Sequence, residues 1–445
     1  MLSEQGLVWL RRLLVERFGV DIHLTSNDGK YILYLPDCGK RIIIDYIQNE
    51  FYDLNSKLSC YLWDADKENF EGYTDNVIPA PGNRVISYPL INIENETLTI
   101  NYDILGLAYW MLNRIEEIGS EELDAHQRFP ATSSHAYKFG YLERPIVDEW
   151  LGILQQAIKK ICPNLEFRKN EFLIQVSHDV DVPSEFGFSS WKKVIKGMIR
   201  NGVSLQLSKM IKVPVTKLLT KKNLLISDPC NTFSWLMDAS DDIRVNSSFY
   251  FMAGKTNDNY DSDYKLDCKP IESLMLQIHR RGHYIGIHPS YETFNDFPAF
   301  LSEYQKLREV CDRLGITQVE WGGRMHYLRW SHPQTLRAFE DSGINYDSTL
   351  GYADLPGFRC GTCFEYTAFD PINHKIMKLR LRPLIVMECT ILRTLGVSEE
   401  AKVKMLYLKN QCRKVSGTFS ILWHNSQFDT HDHKRLYLDV IEYDK

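Results

Sequence analysis

The stretch FLIQVSHDVDVP, residues 172–183, decides the fold reading. It opens as an apolar, β-rich run, places His178, Asp179 and Asp181 within four residues, and stops on Pro183. In an extended segment alternate side chains share a face. Asp179 and Asp181 therefore point one way and Val180 the other. Two carboxylates held close repel unless a cation neutralises one of them. A divalent metal on one and an arginine on the other would satisfy this spacing.

Downstream of residue 170, short β-rich runs alternate with helix-length segments. The strand candidates are FLIQVS (172–177), NSSFYFMA (246–253), HYIGIH (283–288), TQVEW (317–321), INYDS (344–348), LIVME (384–388) and TFSILWH (418–424). Helices are expected over 269–281, 296–314, 332–342 and 398–415. Such alternation predicts parallel strands with helical crossovers, in an open α/β sheet or a β/α barrel. In both, the chemistry gathers on loops at the carboxyl ends of the strands. His178, Asp179 and Asp181 follow the first run, and His288 the third. Arg324 and His326 lie beyond TQVEW, Asp347 after INY, and His424 and Asn425 after FSILW. Taken singly, each has a plain structural role as a turn cap, loop histidine or salt-bridge partner. Taken together, they predict one site.

Upstream, residues 1–165 read as a separate, smaller α+β unit. Leu7, Leu10, Leu14 and Phe18 recur at helical spacing; YILYL and RIIIDY flank the turn PDCGK; YDILGLAYWMLNRIEEIG reads as a helix ending at Gly119; and IVDEWLGILQQAIKKI reads as another. No metal or nucleophile pattern occurs here, so a packing or accessory role is expected.

The 445 residues carry a net charge of −6, which gives no reason to expect a nucleic-acid partner. No secretory h-region and no long uncharged apolar run is present, which predicts an intracellular, cytoplasmic protein. The ten cysteines are scattered. The pair Cys360 and Cys363, in CGTC, reads as turn or core cysteines rather than a zinc site. One segment breaks the alternation: residues 189–227 hold nine Lys or Arg and no Asp or Glu. It reads as a solvated helical insertion, with peripheral contact to an anionic membrane, or contact with an anionic substrate, as the sharper alternative.

The ordered set formed by the acidic motif, GHYIGIHPS, the arginine motif, YDSTLGY and LWHN resembles the polysaccharide deacetylases, carbohydrate esterase family four. HQRFPATSSHAYKFGYLERPIVDEW resembles the extra N-terminal domain of a branch found near surface-polysaccharide genes. The resemblance implies an irregular or incomplete β/α barrel over 166–445, preceded by the smaller domain. It implies Asp179 as base, Asp181 and His288 as metal ligands, Arg324 steadying the base and His424 as general acid. The family's second metal histidine falls on Glu292, a departure, with His326 as the competing ligand. Tyr291, His326, Asp347 and Asn425 are the candidate substrate contacts. Zinc is the implied metal, and an acetylated glycan or lipid-linked sugar the implied substrate. A degenerate glycan-binding barrel and a hydrolase of imide or ureide C–N bonds stay open as alternatives.

Overall fold

The computed structural model describes residues 2–443 apart from 46–49, 55–56, 87, 95–96, 192–194, 196–213 and 429. Most of the basic insertion, including Lys192, Lys193, Lys196 and Arg200, lies outside the described residues. Two compact units are present, and both are discontinuous in sequence. The first comprises Met1–Leu173, Leu350–Ile385 and Tyr407–Phe419; the second comprises Ile174–Thr349, Val386–Leu406 and Ser420–Lys445.

In the first unit, helix Glu4–Phe18 begins at Ser3, whose side chain accepts from the Gly6 amide, and ends at Gly19 with φ 71°. That left-handed cap is cheap for glycine alone. Strands Lys30–Leu35 and Lys40–Asp45 form the expected hairpin within a five-stranded sheet. Helix Ile146–Ile161 matches its sequence reading. The helix expected to reach Gly119 does not: it spans Ile104–Leu112 and gives way at Arg114, which has φ 50°. The buried Arg114 guanidinium binds Glu116 and Glu117 from this turn, and a continuing helix would carry it elsewhere. Cys38 and Cys162, 124 residues apart, form a disulfide that sequence spacing does not reveal. Oxidising compartments retain such bonds, so the cysteines lend the intracellular expectation no support. Cys360 and Cys363 are buried free thiols.

The second unit is built on β1 (Leu173–Val180), β2 (Ser248–Phe251), β3 (Tyr284–Ile287), β4 (Gly322–Gly323), β5 (Tyr346–Asp347), β6 (Val386–Met387) and β7 (Thr418–Leu422). Their order is β5-β4-β3-β2-β1-β7-β6. The pairs β1–β2, β2–β3, β3–β4, β4–β5 and β6–β7 are parallel. This strand order is open rather than closed into a barrel among the described residues. Helices Lys269–Arg280, Phe297–Arg313, Gln334–Asp341 and Glu399–Lys414 fall within the ranges read from sequence.

TQVEW is not a strand. Val319 is 98% exposed, and the Gln318 side chain takes the place of a backbone neighbour, accepting from the Ile285 amide at 3.0 Å and donating to the Ile285 carbonyl at 2.6 Å. The strand is Gly322–Gly323, where a Cβ on Gly322 would stand 1.9 Å from the Tyr346 ring. The register pairs Asp179 with Tyr250, Tyr250 with Gly286, Ile287 with Gly323 and Gly323 with Asp347. The carboxyl ends of five strands are thereby level. Among the described residues no helix is long and apolar enough to cross a membrane.

Candidate metal centre and its proton-transfer groups

Alternation along β1 sorts the opening motif. Asp179 is 2% exposed and accepts from Arg324 Nη1 at 2.9 Å. His178 turns the other way, with Nδ1 2.7 Å from the Trp423 carbonyl and its ring against Phe249. Burial holds this imidazole down at about 4, so it is a neutral core histidine.

Arg324 is engaged at all three guanidinium nitrogens. Besides Asp179 it donates to the Ser348 carbonyl, Ser177 Oγ and Ser348 Oγ, at 2.9–3.0 Å. With the guanidinium held in place at its other nitrogens, the single Nη1 bond orients the Asp179 carboxylate through Oδ1.

Asp181, one step beyond β1, faces three imidazoles. Its Oδ1 is 3.3 Å from His288 Nε2, and its Oδ2 is 3.6 Å from His424 Nε2 and 3.9 Å from His326 Nε2. Burial works to raise the Asp181 carboxyl, but His326, His288 and His424 outweigh it and hold the group well below the usual carboxylate range. His288 and His326 are each anchored through the far nitrogen, His288 Nδ1 to the Arg324 carbonyl at 2.6 Å and His326 Nδ1 to Asp261 Oδ1 at 2.9 Å. This anchoring aims both Nε2 atoms at Asp181 and is the usual outer-shell device for a metal-binding histidine.

Asp181, His288 and His326 each offer a ligand atom within 4.8 Å of the others. Donors on a tetrahedral zinc with bonds of ~2.0–2.1 Å stand roughly 3.3 Å apart, close to the separations from Asp181. His288 Nε2 and Asp181 Oδ1 are buried and face each other at 3.3 Å without a well-formed hydrogen bond, an arrangement that a cation between them would complete. The donor set fits a divalent metal of zinc type.

His424 completes the group. Its Nδ1 is 2.5 Å from Glu388 Oε1, and its amide donates to the same oxygen at 3.1 Å. Burial disfavours the charged ring, but Glu388 and then Asp181 and Asp179 outweigh it, and the pKa rises to about 10.

Several expected residues are placed differently. Glu292 does not join the cluster: its side chain is 48% exposed and pairs with Arg329 at 3.3 Å and Asn257 at 3.2 Å. The four-residue spacing requires an α-helical turn, but Tyr291–Asn295 is a 3₁₀ turn that follows Pro289 and Ser290. Asp347 and Asn425 are fully buried and present no surface to a substrate. Asp347 accepts from the Thr349 amide at 2.8 Å and Trp330 Nε1 at 3.1 Å, and burial lifts its pKa to about 6. Asn425 donates to the Val182 and Cys230 carbonyls. Tyr291 is 6% exposed and packs on Tyr260.

Two residues at the centre were not read from sequence. Asp261 lies in the loop after β2, where no strand end marks it. It accepts from the Thr256, Asn257 and Tyr291 amides as well as His326. Glu388 directly follows β6 and had a signal, the same strand-end position that marked the other candidates.

Residues 8–163 match a family model whose description is "Family of unknown function (DUF7033)". Among curated proteins none matches the chain. Two solved structures resemble it weakly. One is assigned as a polysaccharide deacetylase from Mycobacterium smegmatis, with 13% identity, TM-score 0.40, and 62% of this chain and 84% of that one covered. The other is Puue allantoinase, with 10% identity, TM-score 0.36 and the same two coverages.

Proposed function

We propose that this chain is a metal-dependent hydrolase that removes an acetyl group from an N- or O-acetylated sugar in surface-polysaccharide metabolism. The observation that carries the reading is the convergence of Asp181, His288 and His326 beside a carboxylate locked by Arg324 and an imidazole charged at neutral pH. In this reading residues 166–445 carry the chemistry and residues 1–165 are accessory.

A zinc ion held by Asp181, His288 and His326 would supply Lewis-acid polarisation of the acetyl carbonyl. Asp179 takes the proton of the attacking water, and the Arg324 fork keeps the carboxylate turned toward it. His424 gives its Nε2 proton to the departing amine or alkoxide, while Glu388 holds Nδ1 and so fixes which nitrogen faces the reaction. The rival reading, a barrel that binds glycan without turnover, is motivated by Glu292 standing where the family has a histidine. His326 offers a third donor from another loop and weakens that motive.

The test is acetate release by purified, zinc-loaded protein from a panel of N- and O-acetylated oligosaccharides, run beside cyclic imides and ureides. Acetate release that ends on chelation is expected. Turnover confined to imides or ureides, or zinc binding with no turnover on either class, would overturn the reading.

A further inference from the structure

A second cluster of donors lies on the far side of His424. Glu388, Cys389 and His424 each offer a ligand atom within 4.8 Å of the other two. Glu388 has no exposure. Its Oε1 serves His424, whereas Oε2 is buried without a partner among the described residues. A carboxylate oxygen sealed from water and left unpaired is destabilising. The next residue places a half-buried thiol beside it.

We propose that Glu388, Cys389 and His424 form a second cation site, selective for thiophilic divalent ions such as zinc, cobalt or cadmium. Oxygen, sulfur and imidazole nitrogen together suit this class and disfavour magnesium and calcium. Binding releases two protons to solvent, one from the Cys389 thiol and one from the charged His424 ring, and leaves a thiolate and a neutral imidazole nitrogen on the ion. The same ion competes for the carboxylate and ring that the Glu388–His424 hydrogen bond now joins. The site goes beyond the hydrolase reading, because its occupancy is measured without turnover.

Cobalt is the probe. The Asp181–His288–His326 cluster has no sulfur, so a near-ultraviolet thiolate-to-cobalt charge-transfer band reports the second site alone. Wild-type protein titrated with cobalt should show this band and bind two ions per chain. Cys389→Ser and Cys389→Ala should both abolish the band and bind one ion, whereas His326→Ala should keep it. Crystals of wild-type protein grown with cobalt give an independent readout, with an anomalous peak expected among Glu388, Cys389 and His424. Absence of that peak, absence of the band in wild type, or a band that survives both Cys389 variants would overturn the proposal.

Discussion

Each unit buries a cluster of charges, and the two clusters are finished differently. In the first unit Glu117 is gripped by Arg114 at 2.7 Å and by both faces of the Arg359 fork at 2.9 and 2.6 Å, while Arg359 also donates to the Gly351 carbonyl. Nearby, Asp148 accepts from Arg17, Thr362 and the Cys363 amide, and Glu149 from Arg144 and Thr74. These carboxylates are matched in number and geometry. The cluster in the second unit is matched on its outer side, through Arg324, Asp261 and the Arg324 carbonyl, and left open on its inner side, where His288 Nε2 and Asp181 Oδ1 face each other without a well-formed hydrogen bond. A closed network holds chain segments together. A network anchored behind and open in front is prepared for a ligand.

The contrast can be broken by substitution. Asp179→Asn keeps the shape at the open cluster but removes the base. Acetate release should fall ~100- to 10,000-fold, with zinc affinity little changed in a titration. A loss under a few-fold would show that Asp179 is structural, like Glu117.

His326→Ala removes a donor from the open side. Affinity for the first equivalent of zinc should drop by more than ~100-fold, beyond the usual cost of losing an outer-shell partner. The metal-free variant loses the His326–Asp261 hydrogen bond, but Asp261 keeps three backbone amide donors, so it should be destabilised less than Arg359→Ala. Retained zinc affinity would place the ion elsewhere.

The converse holds in the first unit. Arg359→Ala leaves Glu117 buried and half-paired and should destabilise that unit by ~3–5 kcal/mol in urea unfolding, with no effect on zinc affinity. A near-neutral result would mean that the closed network contributes nothing to holding its segments.

Acid separates the networks more gently. Burial works to raise Glu117, but Arg359 and Arg114 outweigh it and hold its pKa at about 2. A folded pKa below the unfolded value means stability that is present above about pH 4.5 and lost as pH falls toward 2. The loss is on the order of 3 kcal/mol. Urea midpoints of wild type and Glu117→Gln at pH 7, 4 and 3 measure it. The variant should start lower and fall less, and parallel slopes would remove Glu117 from the account.

The smallest effect belongs to Glu292→Ala. An exposed ion pair contributes up to ~1 kcal/mol, so the melting point should barely move and the zinc affinity should stay. Loss of the ion would return Glu292 to the ligand set and His326 to the second rank.

The sequence by itself determined the alternation of strands and helices downstream of residue 170 and the positions of Asp179, Asp181, His288, Arg324 and His424 at strand ends. These features follow from hydrophobic periodicity and from which residues end each run, and both are local. Local reasoning misplaced the strand at TQVEW, because it could not see Gln318 standing in for a backbone neighbour. It favoured Glu292 because a four-residue spacing was read as a helical face. Only the tertiary structure brings His326 beside Asp181 and His288 and shows the groups that orient the histidines. His326 meets Asp261 across 65 residues, and His424 meets Glu388 across 36. Which loops converge on Asp181 depends on the register that levels the strand ends, and register is a relation between strands that no single stretch contains.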